Sequence, residues 1–291
     1  MSKKRPAAKK SAKAAKKTAP RRQGMSVVMN KRGGVPERLA AFTNLSLSKP
    51  GSDDALESLL EILRDKEEPI DVRLRALQTL GAAAFASPSF PAVERDYIAT
   101  LRQVATDPDP ELRQQVLGIL AREKDGFAQK KLLEGLRDPA KALVPPEKAL
   151  QLLAYDIHAE AYPLAREIVN HPPNAIAKRE ALRLLGADPG AVPIFERILR
   201  DKTETPEIRQ VSAAALHGLD PNRLQAQVRE IVLDPAEQDE MRETSLTAIK
   251  QLAPAAVAQD KQLMDRVAQL SSEGSEPVKL SARQLLGKYP R

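Results

Sequence analysis

The sequence predicts an all-α protein, a solenoid of about seven stacked helix pairs behind a disordered basic tail. Three observations carry that expectation. One amphipathic two-helix motif recurs along the chain, aromatic residues are only 3% of the total with no Trp, and the first 24 residues hold ten cations and no acid. A core built mainly of Ala and Leu suits helix packed on helix, whereas strands draw on aromatic and β-branched residues. At 291 residues and 42% hydrophobic content the chain has enough apolar material for a sizeable core.

The tail comes first. Residues 1–34 are rich in Lys, Ala, Arg, Pro and Ser with little to bury, so ordering them would cost backbone entropy without return. Their cations are Lys3, Lys4, Arg5, Lys9, Lys10, Lys13, Lys16, Lys17, Arg21 and Arg22. The whole chain carries +7, so the 267 residues after Gly24 sum to −3, and the basic character belongs to the tail alone. Such a tail attracts nucleic acid or another anionic surface through counterion release, with no aromatic side chain to stack on bases. Lys4-Arg5 and Lys16-Lys17, ten residues apart, also resemble a bipartite nuclear localisation signal of the nucleoplasmin kind, and the Lys/Ala/Pro composition resembles the tails of bacterial nucleoid-associated proteins. Tether, address and solubilising extension all remain open at this stage. Met25 offers an internal start.

Next, residues 35–50 supply Leu39, Ala40, Phe42, Leu45 and Leu47, enough for a helix capping the first repeat. The repeats then fill the chain to residue 291. Pro91 to Thr106 has Val93, Tyr97, Ile98, Leu101 and Val104 at helical spacing; Asp107-Pro108-Asp109-Pro110 interrupts, and Glu111 to Arg122 forms the partner helix. Asp109 is the expected N-cap, Pro110 suits the first helical position, and Glu111 favours the positive end of the helix dipole. Thr205-Pro206-Glu207 repeats the signal. The second helices align on a basic residue followed by small or apolar residues at +3 and +4 and an apolar one at +7. Arg73, Arg113, Lys178, Arg209, Arg242 and Lys279 take the basic position, and Pro146 breaks the series. Successive intervals run from 31 to 40 residues, a period that indicates a solenoid.

These residues resemble the HEAT repeats. Asp107 through Arg113 looks like that family's turn, an acid six positions before an Arg; Glu67 with Arg73 and Glu273 with Lys279 keep the spacing, while Ala236 before Arg242 departs from it. The resemblance covers about residues 53–291 and implies a right-handed α–α superhelix whose second helices line a concave groove. It also implies that Arg73, Arg113, Arg209 and Arg242 form a structural ladder with turn acids of their own or a neighbouring repeat. The outward positions, +2 and +5, are then the candidate protein-binding face: Arg75, Gln78, Gln115, Lys148, Gln151, Arg183, Thr244 and Thr247, beside Gly118, Glu180, Val211 and Ala214. Arg75, Lys148 and Arg183 with their glutamines are expected to meet an acidic or polar partner segment.

The same residues carry no recognisable catalytic motif. His158, His171 and His217 stand singly, no Walker, GxGxxG or GxSxG pattern occurs, and paired acids such as Asp53-Asp54 sit at helix starts. Tyr155, Asp156, His158 and Tyr162 form the richest polar aromatic cluster, read as a loop packing on the next repeat. Without cysteine there is no disulfide, thiolate metal site or thiol nucleophile. No catalytic residue, cofactor or metal is therefore expected. Alkylpurine DNA glycosylases and bilin lyases are enzymes on related repeats; the first needs a basic face and aromatic residues, whereas here Trp is absent and the body sums to −3. No apolar run approaches the roughly 18 residues of a membrane helix, so the expected location is cytoplasmic, nucleoid-associated, or nuclear in a eukaryote. The expected function is a non-catalytic scaffold holding a protein partner in its groove, weakly tethered by its tail, with a solenoid gripping DNA or RNA as the alternative.

Overall fold

The computed structural model describes residues 20–47, 52–156, 159–252, 257 and 259–289. Among them are sixteen α-helices and no strand. Residues 1–116 and 117–291 form two compact units. The first contains α1 (Pro20–Val28), α2 (Val35–Phe42), α3 (Asp53–Arg64), α4 (Ile70–Ala86) and α5 (Phe90–Val104), and α6 (Pro110–Arg122) contains the boundary. The second contains α7 (Gly126–Arg137), α8 (Pro146–Leu153), α9 (Ala161–Asn170), α10 (Ala175–Leu185), α11 (Val192–Arg200), α12 (Pro206–Leu219), α13 (Pro221–Leu233), α14 (Asp239–Leu252), α15 (Lys261–Glu273) and α16 (Glu276–Lys288).

Local chemistry sets where these helices start. Asp109 accepts the backbone N–H of Leu112 at 2.8 Å, and Thr205 accepts that of Ile208 at 3.4 Å, both as the sequence predicts. Asp125, Asn174 and Asp260 cap α7, α10 and α15 in the same way. Asp53 and Asp54 open α3 and Arg64 closes it, each complementing the dipole.

Stacking follows one rule inside each unit: α2 lies on α4 and α3 on α5, while α8, α10, α12, α14 and α16 form one row and α11, α13 and α15 another. First helices thus pack on first helices and second on second, because no single pair can cover its own apolar stripe. Leu56, Leu59, Leu63, Leu77, Leu80 and Leu101 fill the seam of the first unit, all fully buried, and Phe195 does so in the second. Each such side chain contributes about 1.5–3 kcal/mol relative to exposure.

The N-terminal boundary differs from expectation. The tail expected through Gly34 gives way at Pro20 to helix α1, and the capping helix expected over 35–50 is instead the second helix of a complete pair. Val28 is fully buried, and the Nε of Arg38 donates to its carbonyl at 2.8 Å. That bond satisfies a carbonyl the helix end would leave unpaired. The described residues thus hold sixteen helices, with α1 and α2 a pair where a single capping helix was expected. Lys3, Lys4, Arg5, Lys9, Lys10, Lys13, Lys16 and Lys17 lie outside the described residues, whereas Arg21 and Arg22 fall within α1.

Candidate partner-binding face

The basic residue near the start of the second helix is the frame on which the face is built. Arg38, Arg73 and Arg209 share one geometry. The Nε of each donates to the carbonyl ten residues earlier, of Val28, Leu63 and Leu199, at 2.8, 3.2 and 2.9 Å. Their terminal nitrogens meet an acid in the next pair's turn: Arg38 reaches Glu68 at 2.6 Å, Arg73 reaches Asp107 at 2.6 Å, and Arg209 holds both oxygens of Glu237. Lys178 pairs with Glu204 by the same rule.

Arg113 and Arg242 behave differently. Arg113 donates to the carbonyls of Asp107 and Pro108 in its own turn, and Arg242 to those of Asp234 and Pro235 and to Asp239. Arg73 and Arg209 thus meet an acid of the neighbouring repeat, whereas the bonds of Arg113 and Arg242 within their own turns go to backbone carbonyls, with Asp239 added for Arg242. Burial works to raise Asp107 and Glu237, but the arginine hydrogen bonds and a backbone N–H to each outweigh it and hold both carboxyls below their ordinary values.

With those arginines turned inward, the +2 and +5 positions face outward. Arg75, Gln78, Gln151, Arg183 and Thr247 are exposed; Gln115, Lys148 and Thr244 are half-buried. Arg75 and Gln78 belong to the first unit, as does Gln115, and the other five to the second. Glu180, expected outside, is buried because Arg179 and Arg183 both close on it. Gly118 is buried as well.

In the second unit the row becomes a groove. One cavity is lined by Arg183, Gly186, Val211 and Ala214 among others, and an adjoining one by Ala214, His217, Thr244 and Ala248; both include Gln210, so the groove crosses α10, α12 and α14. Gln210 spans it, donating to Glu240 at 3.0 Å and Thr244 at 3.4 Å, and Arg179 links α10 to Glu207 of α12 at 2.8 Å. Small apolar residues and polar ones alternate along its lining. The sequence pattern found Arg183 and Thr244 here; Gln210 at +1 and Ala248 were missed, although both follow from helical spacing beside the residues it did find.

Elsewhere the aromatic cluster divides: the hydroxyl of Tyr162 in α9 donates to the Ala187 carbonyl just beyond α10 at 3.2 Å, while Tyr155 is half exposed and His158 lies outside the described residues. Among the described residues, no cluster of three or more His, Asp or Glu is placed to hold a metal, and no helix is long and apolar enough to cross a membrane.

Stacked pairs bound by inward arginines define a class, the α-helical repeat proteins. Residues 56–145 match the family model of HEAT repeats. Among solved structures the chain is similar to human deoxyhypusine hydroxylase in complex with glycerol, at 16% identity and a TM-score of 0.35, over 82% of this chain and 96% of that one. No curated protein sequence matches it.

Proposed function

We propose that this protein is a non-catalytic scaffold that holds a protein partner along its second helices, with the basic N-terminal segment adding weak attachment to nucleic acid or another anionic surface. The observation that carries this reading is the groove across α10, α12 and α14, which coincides with outward positions of the repeat pattern. Its residues Gly186, Val211, Ala214 and Ala248 offer shape, and Arg183, Gln210 and Thr244 offer hydrogen bonds. An extended acidic or polar segment fits this combination.

Two measurements test the two halves. Affinity capture from the native host identifies the partner, and Ala214→Arg, which fills the groove from an exposed position, should abolish that capture while leaving thermal stability unchanged. Retained binding in the variant would overturn the groove. For the tail, deleting residues 1–19 spares α1 and its contact with Arg38, and removes eight cations. The log–log salt slope for duplex DNA should fall by up to about seven. Tight DNA binding that survives the deletion would favour the alternative, a solenoid that itself grips nucleic acid.

A further inference from the structure

Four residues after the basic position, the second helices carry a large apolar side chain. Phe42, Leu77, Leu117, Leu150, Leu182 and Leu246 stand there, and all are buried. In α12 the same place is taken by Ala213, which is half-buried. Only the last helix, α16, departs otherwise, with an exposed Arg283.

A seam that calls for leucine and holds alanine keeps a hole wherever the surroundings do not collapse into it. Here they do not. A cavity of about 190 Å³ opens at this point, lined by Ala213 and His217 of α12, Leu224 of α13, and Thr244, Ala248 and Gln251 of α14, among others. Leu224 is buried, Ala213, Thr244 and Ala248 are half-buried, and His217 and Gln251 are exposed. The cavity therefore runs from a polar mouth inward to the first helix of the next pair. An engineered apolar cavity of about 150 Å³ holds a benzene molecule, so there is room for a ring.

We propose that this cavity is the anchor site for one aromatic side chain of the protein partner, which replaces the leucine that the repeat lacks. The volume fits a ring, and His217, Thr244 and Gln251 offer hydrogen-bonding groups to a phenol hydroxyl or an indole N–H. Aromatic anchors seated in such pockets carry most of the affinity of many interfaces. The proposal rests on the groove described above and adds the side chain that its partner must bring.

Ala213→Leu restores the residue that the other repeats carry, and it should raise the melting temperature by filling the hole. In the parent protein p-cresol, which stands in for a tyrosine side chain, should bind with a roughly millimolar Kd and shift the methyl resonances of Ala213, Leu224 and Ala248. Ala213→Leu should weaken that binding at least about tenfold and should abolish capture of the partner. A destabilised Ala213→Leu would mean that no hole exists, and p-cresol binding unchanged in the variant would put the ring elsewhere; either result overturns the proposal. Capture that is lost in Ala214→Arg but kept in Ala213→Leu would leave the groove standing and remove the anchor. Capture kept in both variants would remove the groove as well, and p-cresol binding would then mark a site for a free small molecule.

Discussion

Arg209 and Glu237 are joined by two parallel hydrogen bonds of 2.8 and 2.6 Å, with 0% and 2% of their side chains exposed. The third contact of this guanidinium, Nε to the Leu199 carbonyl, ties α11 to α12 within one pair, while Glu237 belongs to the turn of the next. One side chain therefore closes its own repeat and fastens the following one. Burial keeps this guanidinium from any ligand at the surface, and its Nε, Nη1 and Nη2 each donate inside the stack.

Breaking one side of this pair should be far worse than removing both. Arg209→Met leaves a buried carboxylate and Glu237→Leu a buried guanidinium, and each should lower unfolding free energy by about 3–5 kcal/mol. The double variant Arg209→Met with Glu237→Leu keeps the volume and removes both charges, so most of that loss should return. Urea denaturation of the four proteins measures the coupling; simple additivity would show that the two residues do not act as a rung.

The paired carboxylates give the fold an acid limit. Asp107 and Glu237 titrate lower in the folded chain than in the unfolded one. Their contribution is thus fully present above the unfolded carboxylate range, about pH 4, and is lost as pH falls through the folded values. Arg73→Met should shift Asp107 upward, since burial is then opposed only by the Asp109 N–H and the charge of Lys66. The melting-temperature gap between parent and variant should be widest near neutral pH and should narrow on acidification; a gap independent of pH would remove the carboxylate from the explanation.

What was legible in the sequence was whatever is written within one helix or one turn. Asp109 and Thr205 cap where their spacing from Pro110 and Pro206 requires, and the inward side of the second helices follows from Arg73 and Arg209. The partner of each arginine was not legible, because it lies 28 to 34 residues away and its place within the turn shifts: Glu68 is the buried acid, while Glu67, which keeps the family spacing, is exposed. Arg38, with Ala41, Phe42 and Leu45 behind it, fits the repeat pattern in full. The basic composition just upstream concealed it, since α1 has few apolar residues and gains its burial from α2. Glu180 was misplaced for another reason: helical spacing gives a direction but not the two arginines that fold over it.

Two backbone positions carry the last prediction. Lys124 ends α6 at φ 55, a left-handed conformation in which the Asp125 N–H reaches back to the Leu120 carbonyl at 2.9 Å. A side chain there is strained by about 1–2 kcal/mol, and glycine is the usual residue at such a helix end. Gly135 presents the opposite case: it lies inside α7, where alanine is ordinarily the better helix former, but a Cβ would stand 2.9 Å from the Cα of Ala142. Lys124→Gly should therefore raise the melting temperature and Gly135→Ala should lower it, the reverse of what helix propensity alone dictates at both sites. Differential scanning calorimetry of the two variants decides the matter, and a stabilised Gly135→Ala would mean that the 138–145 segment does not lie against α7.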